Sequence, residues 1–199
     1  MNPLNILKKQ FGYAAFRLHQ EAIINAVIAK KDTFVIMPTG GGKSICYQVP
    51  ALTKEGVCLV ISPLIALMKD QVENLRARGV RASYIISGMS RDEIDVLLDN
   101  CVYGKIKLLY ISPERLGSEI VQERIKRMTI NLIAVDEAHC ISEWGYDFRP
   151  SYLEIARLRE LCPDVPFLAL TATATQDVVN DIQDKLQFPQ HHVLKKSFE

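Results

Sequence analysis

Cysteine is sparse and unpaired in this chain of 199 residues: Cys46, Cys58, Cys101, Cys140 and Cys162 are odd in number, scattered, and never in Cys-x-x-Cys spacing. That pattern excludes a disulfide framework and gives no thiolate zinc site, so the five read as small buried hydrophobes of a reducing compartment. Charge of one sign is missing too. Lys and Arg total 24 against 23 Asp and Glu, a formal net charge of +1. No global basic field advertises nucleic acid, and any such contact must come from a local surface. No apolar run approaches the length that spans a bilayer, and Met1 to Lys9 has no long apolar stretch of the kind that directs secretion, so no membrane partner is expected. Low-complexity segments, internal repeats and interdomain linkers are absent before the last residues, so 1–199 is expected to be a single domain. With 48% hydrophobic residues it has enough for a full-sized core.

What is present is a strict alternation of short apolar runs with helical patterns. The expected strands are Thr33–Met37, Val57–Ile61, Ala82–Ile86, Lys107–Ile111, Leu132–Val135 and Phe167–Leu170. Leu64, Leu67, Met68, Val72 and Leu75 fall at helical spacing between the second and third runs, and Ile23, Ala26 and Val27 do so ahead of the first. This predicts an α/β fold, a mostly parallel sheet with helices on both faces. Ser62-Pro63 and Ser112-Pro113 each end a strand run, where Ser could cap and Pro could open a helix. In such a sheet, the loops at the carboxyl ends of the strands share one edge, where ligands bind.

The first run delivers the chain to Met37-Pro38-Thr39-Gly40-Gly41-Gly42-Lys43-Ser44. Glycines let backbone N–H groups close around a polyphosphate, and the start of the next helix adds to the attraction. Lys43 would reach the β- and γ-phosphates and Ser44 would ligate Mg²⁺. The strict pattern asks for Gly where Met37 stands; the bland alternative is a Gly-rich turn with an exposed Lys. Asp136-Glu137-Ala138-His139 follows the buried run Leu132–Val135. There Asp136 could hold Mg²⁺, and Glu137 could orient and deprotonate a water, although acidic pairs also occur simply to answer a helix dipole.

Asp136 to His139 is the sequence of the DEAH box of superfamily 2 helicases, and its surroundings resemble the RecQ branch of DNA helicases. Phe11-Gly12-Tyr13 with Phe16, Arg17 and Gln20 resembles that family's nucleotide-base motif, and Met37 to Ser44 its form of the phosphate loop. Ser62 to Val72, Ala138 to Pro150 and Leu170 to Thr175 resemble a further motif, the aromatic-rich loop and the motif coupling hydrolysis to DNA. The resemblance covers nearly the whole chain from Phe11. It implies a RecA-like P-loop NTPase lobe that uses ATP and Mg²⁺, with Tyr13, Arg17 and Gln20 at the adenine end and Lys43, Glu137 and His139 catalytic. Ser62, Pro63, Leu64, Trp144, Phe148 and Arg149 would meet single-stranded DNA, and Thr171 and Thr173 would couple hydrolysis to it. Gln20 also has the amide geometry to pair with adenine, though its helix position alone would equally suit an exposed face. The loop's aromatics and guanidinium could stack on unpaired bases or instead plug the sheet edge; the two threonines could simply satisfy their own backbone.

Two residues depart from the family: Glu143 stands where Gln is usual and Tyr146 where His is usual. The resemblance further implies 3′-to-5′ unwinding of tailed duplex DNA, an intracellular location (cytoplasmic or nucleoid-associated in a bacterium, nuclear in a eukaryote), and a second RecA-like lobe toward which 190–199 leads. That lobe would contribute an arginine finger, typically worth 10³–10⁵ in rate, so this lobe alone is expected to be nearly inactive. It also predicts that the Phe167–Leu170 strand lies between Thr33–Met37 and Leu132–Val135. A regulatory nucleotide-binding module that moves no DNA is the alternative. A small-molecule nucleotide kinase shares the phosphate loop, but nothing resembles its lid or acceptor pocket.

Overall fold

The computed structural model describes residues 1–195. Seven strands form one sheet in the order β3-β4-β2-β5-β6-β1-β7, and every pairing is parallel. They are β1 (Thr33–Ile36), β2 (Val57–Ile61), β3 (Ala82–Ile85), β4 (Leu108–Ile111), β5 (Ile130–Val135), β6 (Phe167–Thr171) and β7 (Val193–Lys195). The central strands are continuous apolar runs because both faces of a parallel sheet are covered. One face packs on α1 (Pro3–Ile6) with its π-helical extension Leu7–Phe11, α2 (Gln20–Ile28), α3 (Ile45–Thr53) and α4 (Ile65–Ala77). The other packs on α5 (Arg91–Val102), α6 (Glu119–Ile125), α7 (Leu158–Leu161) and α8 (Gln176–Lys185).

β6 lies between β5 and β1, as expected, so the phosphate loop and the Asp136 loop flank the end of β6 rather than touching along paired strands. Five expected strands shift by a residue or two at an end; Leu132–Val135 grows to Ile130–Val135, and Thr171 is the last residue of β6. Two departures are larger. The Val193–Lys195 stretch, within the segment expected to lead away, pairs with Phe34–Ile36 as the edge strand; the last four residues of that segment lie outside the described ones. The second departure is that the serines of the two Ser-Pro junctions do not cap helices. Helix α4 begins after an extended Leu64, and Ser112 opens a 3₁₀ turn over Pro113–Gly117, neither with a side-chain cap bond. Both serines are buried, and the Ser62 Oγ has no partner, because the strand ends hold them beneath the surface instead of at a helix mouth. A part-buried ion pair, Arg159–Asp32 at 2.9 Å, ties the opposite end of the sheet together: Asp32 also accepts from the Phe167 N–H at 2.8 Å.

Candidate functional site

At the carboxyl edge of the sheet a cleft of about 520 Å³ is lined by Tyr13, Arg17, Thr39, Gly40, Gly42, Lys43, Ser44, Gln71, Asp136 and Glu137, among others. Residues from four separate stretches of chain thus meet in one depression. Gly40 and Gly42 take φ of +79° and +84°, a left-handed backbone that costs other residues. Gly41 is needed for another reason. A Cβ there would lie 2.6 Å from Met37 Cγ and 2.9 Å from the Pro38 carbonyl. Met37, in the position where the strict pattern has glycine, is buried and lies across the middle of the loop. Met37 N–H also donates to the Thr171 carbonyl at 3.0 Å, joining the loop to β6.

Gln20 is buried, which removes the reading of an exposed helix position. Its amide bridges two motifs: Oε1 accepts from the Arg17 N–H at 2.8 Å, and Nε2 donates to the Gly42 carbonyl at 3.1 Å. The amide is therefore engaged with backbone, while Tyr13 and Arg17, stacked at 5.7 Å, face the cleft.

Asp136 sits one residue beyond β5 with its N–H on the Ile61 carbonyl and its own carbonyl accepting from the buried Tyr152 hydroxyl at 2.9 Å. Burial first, and then the neighbouring Glu137 charge, push its carboxyl from 3.8 up to about 6, against the pull of Lys43. Glu137 occupies the left-handed region (φ 49°, ψ 45°), a strain of the kind that clusters at functional sites. Together with Ser44 these are oxygen donors suited to a hard divalent cation, so the residues fit Mg²⁺.

His139 is buried and its Nδ1 lies 2.8 Å from Thr171 Oγ1 and 3.4 Å from Glu137 Oε2. The Thr171 hydroxyl donates to the Thr173 carbonyl at 3.2 Å, so it accepts from a protonated Nδ1 and Nε2 is left as the acceptor. Burial lowers the ring's proton affinity against the pull of Glu137 and Asp147, which favours this neutral form. Thr171 thus satisfies local backbone and also bridges β6 to the DEAH segment; Thr173 contributes its carbonyl, and its side chain is exposed.

The following loop does not plug the sheet edge. Trp144 and Tyr146 are 78% and 74% exposed. Phe148 is partly buried under Lys185, whose Nζ lies 5.8 Å from the ring, and Arg149 pairs with Asp147 at 3.3 Å. Tyr146 stacks on His139 with centroids 4.5 Å apart and planes 17° apart. Of the other expected DNA contacts, Leu64 is exposed, Pro63 partly so, and Ser62 buried. Sequence reasoning missed Gln71, Asn74 and Arg78, which line the cleft from α4 and its end. Their spacing with Leu67 was the available signal, a second stripe about a quarter turn round the helix from the buried Met68, Val72 and Leu75.

A parallel sheet with a glycine-rich loop after β1 and an acidic pair after β5, one strand apart, defines a RecA-like phosphate-loop domain. The profile of the DEAD/DEAH box helicases matches residues 17–182, and the chain belongs to that family. It is 44% identical over 196 residues to the ATP-dependent DNA helicase RecQ of Haemophilus influenzae, covering 98% of this chain and 32% of that protein. For RecQ of Bacillus subtilis the figures are 48% over 196 residues, 98% and 33%, and for the helicase SGS1 of Saccharomyces cerevisiae 43% over 201 residues, 96% and 14%. The chain spans about a third or less of the length of these relatives. Among solved structures, the Pyrococcus furiosus Hef helicase domain superposes with a TM-score of 0.72 at 22% identity, over 92% of this chain and 38% of that one. The DUF1998 helicase MrfA bound to DNA gives 0.77 at 16%, over 98% and 29%. At those identities the likeness is one of fold. No described helix is long and apolar enough to cross a membrane.

Proposed function

We propose that this chain is the first motor lobe of an ATP-dependent 3′-to-5′ DNA helicase, binding ATP with Mg²⁺ in the cleft and single-stranded DNA at the aromatic loop. The carrying observation is the contact chain Tyr146–His139–Thr171, which joins the exposed loop to the acidic pair and to β6. In this reading Lys43 and the N–H groups of Thr39 to Gly42 hold the β- and γ-phosphates, and Ser44 and Asp136 hold Mg²⁺. A cation held by these two side chains would supply charge neutralisation for the transferred phosphoryl group. Glu137, close to the phosphate loop, orients the attacking water and takes its proton. Tyr13 and Arg17 flank the adenine, with Gln20 tying their segment to the loop. Trp144, Phe148 and Arg149 offer stacking surfaces for unpaired bases, each worth roughly 1–3 kcal/mol, with Leu64 beside α4 as a further exposed contact.

Hydrolysis at a useful rate requires a second RecA-like lobe closing on the cleft with an arginine, as the greater length of the RecQ relatives allows. The test is strand displacement by the full-length protein on duplexes with 3′ or 5′ single-stranded tails. ATP-dependent unwinding of the 3′-tailed duplex alone supports the reading. Nucleotide binding without displacement of either would instead support a regulatory nucleotide-binding module.

A further inference from the structure

Behind the phosphate loop runs a line of polar side chains that the catalytic assignments leave unused. Gln71, on α4, donates from Nε2 to Ser44 Oγ at 3.0 Å. Its Oε1 accepts from Gln48 Nε2 at 2.8 Å, and Gln48 Nε2 also donates to the Tyr110 hydroxyl at 3.1 Å. Tyr110 in turn donates to the Tyr47 hydroxyl at 3.3 Å, the two rings meeting edge to face. Gln48, Tyr110 and Tyr47 are all buried, at 5%, 1% and 2% exposure. A polar chain in a dry interior is retained at a desolvation cost unless each group is satisfied, and here every link is made. It meets the cleft at Ser44, Gln71 and Gln48. Both tyrosines also lie near enough to Asp136 for its charge to oppose their ionisation. The chain therefore passes beneath both groups assigned to the metal.

We propose that Gln71 is a positioning residue that orients the Ser44 hydroxyl for Mg²⁺. A serine oxygen offers two lone pairs and one proton. With one lone pair taken by the Gln71 amide, the other is left for the cation and the proton is left for a phosphate oxygen. Without Gln71 the hydroxyl loses its amide donor and can turn further, and the lone pair reaches the metal in only part of its population. Ser44 carries no side-chain cap bond to its own helix, and within α3 the buried Tyr47 hydroxyl is the group close enough to interact with it. The inference rests on the metal-binding reading of Ser44 and Asp136.

The experiment compares the full-length protein with its Gln71→Ala and Gln71→Asn variants. A fluorescent ATP analogue is titrated in excess EDTA and at stepped Mg²⁺ concentrations, and thermal melting is recorded alongside. The expected result for Gln71→Ala is nucleotide affinity in EDTA within about twofold of wild type, with the Mg²⁺ concentration for half-maximal tightening raised roughly five- to tenfold, the scale of one lost hydrogen bond. Gln71→Asn, which keeps the amide on a shorter arm, should recover part of that shift. An unchanged Mg²⁺ midpoint in Gln71→Ala overturns the proposal, as does an equal loss of affinity in EDTA and in Mg²⁺ with a lowered melting temperature, which would mark a packing role. A wild-type protein whose nucleotide affinity ignores Mg²⁺ overturns instead the metal reading of Ser44 and Asp136.

Discussion

Asp136 carries a charge that the nucleotide-free fold holds at a cost, and Asp136→Asn removes that charge while keeping the shape. Burial and Glu137 raise its carboxyl from 3.8 to about 6, so the folded state binds the proton roughly a hundredfold more tightly than the unfolded chain. A raised carboxyl contributes stability that is fully present below the unfolded value and is lost as pH rises through the folded one. At pH 7.5 the wild-type chain has lost all of it. At about 1.4 kcal/mol per tenfold, the limit is about 3 kcal/mol; because the side chain is only partly shielded from water, about 1–3 kcal/mol is the expected gain on neutralisation. Asn keeps the Oδ1 that accepts from the Glu137 N–H at 3.0 Å, so little else changes.

The assay is thermal unfolding of the 199-residue chain and its Asp136→Asn variant from pH 4.5 to 8. A gain of about 2 kcal/mol corresponds to roughly 4–8 °C for a domain of this size. The variant should therefore melt several degrees higher at pH 7.5, with the gap closing as pH falls below 5. Adding Mg²⁺ and ATP should raise the wild-type melting temperature more than the variant's, since a bound cation favours the ionised carboxylate. A variant no more stable than wild type at pH 7.5, or a gap that persists unchanged at pH 4.5, would refute the reasoning.

In the full-length protein, Lys43→Ala should abolish ATP hydrolysis through lost charge on the β- and γ-phosphates; near-normal DNA-stimulated turnover would remove the phosphate-loop assignment. Glu137→Gln should keep ATP and Mg²⁺ binding, read by equilibrium titration, while turnover fails; equal loss of both would count against a general base. Trp144→Ala should leave basal turnover intact and remove most DNA stimulation, because the ring is 78% exposed and supports no core; a parallel fall in both rates and in melting temperature would speak for a packing role.

The central strands were legible because a parallel sheet buried on both faces demands uninterrupted apolar runs, and Val57–Ile61 or Phe167–Leu170 offer nothing else. β7 was not, since Val193–Lys195 is three residues long, half-buried and ends on a lysine. Helix α5 went unassigned although Ser90 and Glu93 form a complete capping box, an S-x-x-E signal visible in the sequence. The phosphate loop and acidic pair announced themselves by residue type. Gln71 did not: a glutamine on a helix is ordinary until the fold turns α4 toward Ser44. Nor could any local pattern pair His139 with Thr171, 32 residues apart, because that contact follows from β6 lying next to β5.

Tyr146 shows what a ring at this place in the loop does in the structure. Where the resemblance leads one to expect His, a Tyr offers no ring that titrates near neutrality. The structure gives the ring another use: it lies nearly parallel to His139, whose far side is fixed through Nδ1 on Thr171. Gly145, just before it, has no room for a Cβ, with the His139 carbonyl 2.9 Å from where one would sit. The chain is thus pinned against the DEAH segment at one residue and stacked on it at the next, while Trp144 projects outward immediately before both. Such an arrangement offers a packing contact rather than a proton donor, which any flat ring in this place can supply. On the proposed reading a base stacked at this loop shifts the Tyr146–His139 pair; the imidazole is bonded to the end of β6, and β6 lies between the strands that lead to Lys43 and to Asp136.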